Sequence, residues 1–454
     1  MDNTSIAAAK TIALLLLVCL SSCTRQPNSS QRPNDQQLAE EVIATTGSDD
    51  AELLAGTDGV SWLMASRPNL NAAGIRFFAG MKSAAQPTWA SPIPGRGHST
   101  PIVVGHRVFV TTADETTQHQ LVWCIDRNTG VEVWRTVVLK SGFPAEKDVH
   151  QDASHASPTP AADEATVYAV FLNQDRIVAT GLDFDGRMTW QNAAGSFRPY
   201  MGYSSSPAIL GGRLIVSGDD ADGGFISALR RSNGEVLWRK MRSKGASHSS
   251  PTVMKLCGED QIVLTGLNTT NAYSPRDGSL LWQVDGPADT TVSTGVSDGQ
   301  RLFVSGGYPQ PGIMCINVSR SQAGWTASVA WTDKTKVYVP SLLLTTAGLF
   351  GVTDNGVAML WSKESGSILH RLRLGGDFYS SPVQHGEFIY LASRGGVVHV
   401  LTIDGNTLRE DATIDCGGEI MSTPVVTDQE MLLRVAQNRD GLRKEFLYSF
   451  RGQQ

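Results

Sequence analysis

An all-β fold, an eight-bladed β-propeller of four-stranded antiparallel blades, is the class this sequence predicts. Three observations carry it: a Ser-rich tetrapeptide that occurs in eight copies, a hairpin signature ending in Trp that follows four of them, and a final repeat that is one strand short.

The tetrapeptide is clearest as "HSSP" at His248. It returns as "HSTP" at His98, "HASP" at His155, "SSSP" at Ser204, "YSSP" at Tyr379 and "MSTP" at Met421, with degenerate copies "VSTG" at Val292 and "VPSL" at Val339. Neighbouring copies stand between 40 residues apart, Val339 to Tyr379, and 57 apart, His98 to His155, which is the length of a propeller blade. A Ser that returns in nearly every repeat is not a unique nucleophile. The His-Ser pairs are therefore read as architecture, and no catalytic residue is assigned.

The hairpin signature reads "IDRNTGVEVW" from Ile125, "LRRSNGEVLW" from Leu229 and "YSPRDGSLLW" from Tyr273, with "LDFDGRMTW" from Leu182 one residue shorter. Gly with Asn or Asp supplies the positive backbone angles of tight hairpins, so each copy is strand, turn, strand. Asp183 and Asp185 are turn residues on this reading, because a calcium site needs about six to eight converging oxygens. The signature places Trp134, Trp190, Trp238 and Trp282 on outer strands. Trp331 follows an irregular insertion, and His370 takes the equivalent place one repeat later. Blades splay as they run outward, and a Trp that buries roughly 200 Å² fills the wedge between neighbours.

The last repeat, from Ser422, holds three strands and lacks the outer one. The segment around Trp89 is predicted to supply it, closing the ring through the two chain ends and leaving no open edge. Small residues suit innermost strands crowded around an axis. Prolines suit them too, since the channel edge needs no donor.

The chain divides into residues 1–22, a signal peptide; residues 23–50, a lipid anchor and flexible tether; residues 51–85, an N-terminal segment that is partly helical; and residues 86–454, the propeller. Lys10 and the apolar run "TIALLLLVCL" read as an export signal, too short to span a bilayer at about 20 residues. "LSSC" resembles a lipobox, which makes Cys23 the lipidated residue, and the polar stretch behind it reads as a tether. The expected location is the cell envelope, anchored by lipid to the outer membrane and facing the periplasm. Cys124, Cys257, Cys315 and Cys416 lie far apart with no metal-ligand spacing and read as isolated thiols, one or two cross-links between them remaining open. With a formal charge of -6 over 454 residues and no basic block, nucleic acid is excluded as the main partner.

Aligning the copies three positions before the Pro gives a ring at one channel mouth, in which His98, His155, His248 and Tyr379 are the candidates for binding. The connector at residues 141–154 offers Phe143 and His150 as interaction residues, and that at residues 196–203 offers Arg198, Tyr200 and Tyr203. Long connectors on a rigid scaffold are where partners dock.

From Trp89 onward the repeats resemble the quinoprotein-like propeller, also called the PQQ-like repeat. With the lipobox in front, the chain is similar in build to the BamB-like lipoproteins of outer-membrane assembly. The resemblance implies a non-enzymatic scaffold that binds envelope proteins or polymers, a monomer within a larger complex. It also raises an alternative, a PQQ-dependent dehydrogenase or another carbohydrate-active enzyme. Such dehydrogenases carry an adjacent Cys pair beside the quinone and carboxylate ligands for calcium. No two cysteines here are adjacent, so neither PQQ nor calcium nor another metal is expected.

Overall fold

A computed structural model describes residues 86–451 of the chain. The expected signal peptide, the lipidation candidate Cys23, the expected tether and the segment at 51–85 lie outside the described residues. Among the described residues the chain forms eight separate four-stranded antiparallel sheets, in sequence order within seven of them. Blades one to seven cover residues 102–140, 161–196, 208–241, 252–285, 296–333, 343–373 and 383–415. Blade eight takes three strands from residues 425–451, and its outermost is Trp89–Ile93, paired so that Trp89 faces Ser449 and Ile93 faces Glu445. Closure by the chain ends is thus observed. Its register also decides which groups meet at the seam.

Middle strands are buried on both faces because each blade is sandwiched between two others, so they read as apolar runs rather than as alternations. In blade one His119–Asp126 buries Leu121 through Ile125 without a break, and outer strand Glu132–Lys140 is largely exposed. Cores therefore lie between blades. Phe109, Val122 and Cys124 of blade one pack with Ala162, Val167 and Phe171 of blade two.

At the perimeter one contact repeats. Trp89 donates its indole N–H to the carbonyl of Arg127 (3.2 Å), Trp134 to Phe184 (2.8 Å), Trp190 to Arg231 (2.7 Å), Trp238 to Pro275 (3.1 Å) and Trp331 to Lys363 (3.1 Å), each in the turn of the next blade. The ring lies over that turn's glycine. At Gly130, Gly186, Gly234, Gly278 and Gly366, φ runs from 68° to 82°. A Cβ there would stand 2.3 to 2.6 Å from the indole. The signature thus pairs a Gly and a Trp for two reasons at once, backbone angle and contact with the preceding blade. Trp282 departs from it. Blade five has a long hairpin, Gly312–Ser321 with Gly324–Asp333, in place of the tight turn, and the Trp282 indole bonds Gln261 of its own blade at 2.8 Å.

A second contact repeats at the hub. In seven of the eight blades the backbone N–H of the Ser or Thr before the innermost strand donates to the hydroxyl of its counterpart in the next blade: Thr100 to Thr159, Thr159 to Ser206, Ser206 to Ser250, then Thr294 to Ser341, Ser341 to Ser381, Ser381 to Thr423, and Thr423 back to Thr100, at 2.9 to 3.2 Å. Seven bonds of one kind thus run around the axis. They explain the recurring Ser or Thr, since the N–H it presents inward needs an acceptor.

The seam between blades eight and one carries ionic clamps as well. Buried Arg434 bonds Glu445 at 2.7 Å, Ser99 at 3.1 Å and the Thr111 carbonyl at 2.9 Å. Farther out Glu430, fully buried, accepts from Arg127 at 2.5 Å, Ser449 at 2.6 Å and Arg451 at 3.3 Å.

Cys124, Cys257, Cys315 and Cys416 are free thiols. Burial pushes Cys124 and Cys315 up to about 11 and Cys416 up to about 12. Such groups stay protonated and unreactive near neutral pH.

Candidate functional site at the channel mouth

Innermost strands run away from one face of the ring, so the connectors between blades and the loops between second and third strands gather on that face. They surround an axial cavity of about 800 Å³, whose wall includes the hub hydroxyls of Thr100, Thr159, Ser206 and Ser250. This volume falls within the ~300–1,000 Å³ of small-molecule sites.

Of the residues expected at the mouth, His98, His248 and Tyr379 line the cavity. His155 does not; Ser157 takes the place. The hub bonds show why: the second copy is "SPTP", residues 157–160, rather than "HASP", because Thr159 is the residue that accepts from Thr100 and leads into Ala161–Ala162. His155 sits two positions earlier and stacks on Phe143, ring centroids 4.1 Å apart, where the pair anchors the base of the connector. The distance to the next strand held the correct register: Val108 follows Thr100, and Val167 follows Thr159, by the same eight positions.

Burial, aided by the charge of Arg434, holds His98 well below the ordinary histidine value, and burial lowers His248 to about 4. Both imidazoles are neutral at physiological pH, each with one donor and one acceptor nitrogen.

The expected interaction residues separate. His150 and Tyr200 lie exposed at the cavity edge, with Tyr200 at 53% and its neighbour Met201 at 40% exposure. Arg198 is exposed and pairs with Asp222 at 3.2 Å. Tyr203 lines the cavity from a buried position, edge-on to Phe197, with its hydroxyl bonded to the Ser217 carbonyl at 2.9 Å. Phe143 is committed to His155.

The 141–154 connector also crosses the mouth. It rests on the next connector through the Gly202 N–H to the Asp148 carbonyl, 2.9 Å. Its Asp152 reaches blade seven, bonding Arg394 at 2.6 Å and the Tyr379 hydroxyl at 3.3 Å. Partial burial acts to raise the Asp152 carboxyl, but Arg394 outweighs it and holds the group below its usual range. Arg394 continues to Glu419 at 2.8 Å. The connector is therefore a strap tied across the ring.

On the side of blades five to seven stand residues that sequence reasoning missed: Tyr308, Lys336, Tyr338, Asp354 and Asp377. Lys336 pairs with Asp354 at 3.1 Å and lies 5.3 Å from the centre of the Tyr338 ring. Gly307 passes beneath that ring, closer than any Cβ would permit. Tyr308 is 64% exposed. Tyr308, Lys336, Tyr338 and Asp354 fall in the degenerate repeats and Asp377 in the connector just before "YSSP", so no copy-to-copy comparison singles them out.

A propeller with one polar, aromatic-edged mouth defines the class. The family model for "Outer membrane protein assembly factor BamB" matches residues 118–371, more than half of the chain, and the chain belongs to that family. Among solved structures it is similar to BamB from Moraxella catarrhalis, at 13% identity and a TM-score of 0.57 over 80% of this chain and 99% of that one. It is likewise similar to quinohemoprotein alcohol dehydrogenase from Comamonas testosteroni, at 12% identity and a TM-score of 0.60 over 92% and 84%. Sqt1 of Saccharomyces cerevisiae aligns at 10% identity with a TM-score of 0.52 over 81% and 99%. At these identities the likeness shows the fold alone. No curated protein matches the chain.

Proposed function

We propose that this protein is a non-enzymatic docking scaffold of the cell envelope, tethered through Cys23 to the outer membrane on its periplasmic side, which engages envelope proteins or polymers with its mouth face. The observation that carries the reading is the pair of interlocked connectors. Residues 141–154 and 196–203 brace each other through Gly202 and Asp148 and are tied across the ring by Asp152, while Tyr200 and Met201 stand exposed on them. Exposed aromatic and Met side chains held on a rigid frame are the usual makings of an interface hot spot.

The chemistry of the mouth speaks against the dehydrogenase alternative. PQQ is a flat tricarboxylate, and the cavity edge sets Asp152, Asp354 and Asp377 against Lys336. Arg394 neutralises Asp152 and Lys336 neutralises Asp354, and Asp377 adds a further carboxylate, so the mouth offers a tricarboxylate no net positive charge. Among the described residues no group of three His, Cys, Asp or Glu side chains comes together, which supports the scaffold reading.

The test is co-purification of the full-length lipoprotein from solubilised membranes. A stable partner is expected, and the double variant Tyr200→Ala, Met201→Ala should lose most of it while keeping the wild-type melting curve. Absence of any partner, or capture unaffected by the double variant, contradicts the reading.

A further inference from the structure

The cavity itself has a chemistry distinct from the connectors. Its wall combines three kinds of group. At the hub each Ser or Thr hydroxyl accepts one backbone bond from the neighbouring blade, which uses an acceptor site and leaves the O–H of Thr100, Thr159, Ser206 and Ser250 able to donate toward the axis. One level up, His98 and His248 are neutral and donate and accept alike. At the edge Tyr308 presents an open ring, and Tyr338 and Tyr379 line the same cavity.

Charge narrows the ligand class. The cationic groups of this sector are engaged, Lys336 by Asp354 and Arg394 by Asp152 and Glu419. An anionic ligand finds no uncommitted cation to meet it. A cationic ligand fits the tyrosines less well than their number suggests, because Lys336 lies 5.3 Å from the Tyr338 ring and Arg394 lies 5.2 Å from that of Tyr379. What remains is a ligand without charge whose groups both donate and accept, and which also offers an apolar face to a flat ring.

We propose that the mouth receives the end of a neutral carbohydrate chain, with the pyranose face stacked on Tyr308, ring hydroxyls bonded by Asp377 at the edge, and the terminal unit reaching the imidazoles and hydroxyls of the hub. A carboxylate accepting from two sugar hydroxyls in a cavity whose edge also carries an aromatic platform is a polarity match that neither a hydrocarbon nor a phosphate makes. The inference rests on reading the mouth face as a binding face, and it adds the class of polymer end that enters the cavity.

The test is titration of the full-length protein in detergent with chitotetraose and maltotetraose, followed by saturation-transfer NMR and calorimetry. At least one should bind, with sugar-ring protons saturated from aromatic resonances. Tyr308→Ala and Asp377→Asn should each weaken binding about tenfold, Tyr308→Phe should preserve it, and Met188→Ala, exposed on an outer strand, should leave it unchanged. Binding of neither oligosaccharide overturns the proposal, as does binding indifferent to Tyr308→Ala. Spermine binding in their place, lost in the same variants, also overturns it and assigns a cation site. Loss of partner capture in the Tyr200→Ala, Met201→Ala variant with oligosaccharide binding intact separates this inference from the scaffold reading.

Discussion

On the face that carries the hairpin turns, five outer-strand tryptophans make one contact, indole N–H to a turn carbonyl of the next blade with the ring over its glycine. On the mouth face the position before the hub runs His98, Ser157, Ser204, His248, Val292, Val339, Tyr379, Met421, and its neighbours are a strap, a Tyr cluster and a line of ion pairs. Repetition marks what every blade needs in order to pack. Departure from repetition marks what one site needs. The two faces should therefore respond to substitution in opposite ways, the first through stability and the second through binding.

The largest effects belong to the repeated contacts and the closing seam. Trp238→Ala removes a buried indole between blades three and four and should cost about 3–5 kcal/mol in urea melts. Glu445→Ala leaves Arg434 buried without its counter-charge and should cost a similar ~3–5 kcal/mol. Were Trp238→Ala to cost as little as a surface change, the turn face would lose its claim to be architecture. A smaller loss, about 1–3 kcal/mol, is expected for Gly234→Ala, where φ is 75° and the new Cβ meets Trp190. Its size relative to Trp190→Ala reads how far backbone angle, rather than the indole contact, fixes that residue.

Acid should act through the mouth. His248 titrates near 4 in the fold and near 6.5 when unfolded, so between these values the unfolded chain binds the proton that the folded one refuses. Its contribution is fully present above pH 6.5 and is lost as pH falls toward 4; His98, also lowered, adds in the same sense. Melting temperature should therefore fall over that window, and His248→Gln should make the fall shallower. An identical pH profile in the variant would contradict the burial of that imidazole. The smallest change is expected for Tyr308→Ala, within about 0.5 kcal/mol of wild type, because the side chain is 64% exposed.

How much of this was legible in the sequence follows the same division. The eight copies, the Gly-to-Trp spacing and the strand missing from the last repeat determine the ring and its closure, since each is a local pattern with one physical cause. In the second copy "HASPTP" contains two prolines that both fit the motif, and the eight-residue distance to the next strand and the hydrogen bond between Thr100 and Thr159 select the second of them. Tyr203, on a connector that the sequence marks as exposed, is buried against Phe197 and bonded to Ser217, and reaches the cavity wall from there. The strap was invisible as well. Asp152 and Arg394 stand 242 residues apart and meet only once the ring is closed. Tyr308 and Asp354 sit where the repeat has degenerated and Asp377 in a connector outside the motif, so no periodicity points to them.

The most direct test of the division between faces is a hydrogen-exchange footprint of the full-length protein with and without its captured partner. Added protection is expected over residues 141–154 and 196–203, with the turns at Gly130, Gly186 and Gly234 unchanged. Protection confined to those turns, with both connectors exchanging as in the free protein, would place the working surface on the opposite face and contradict the account.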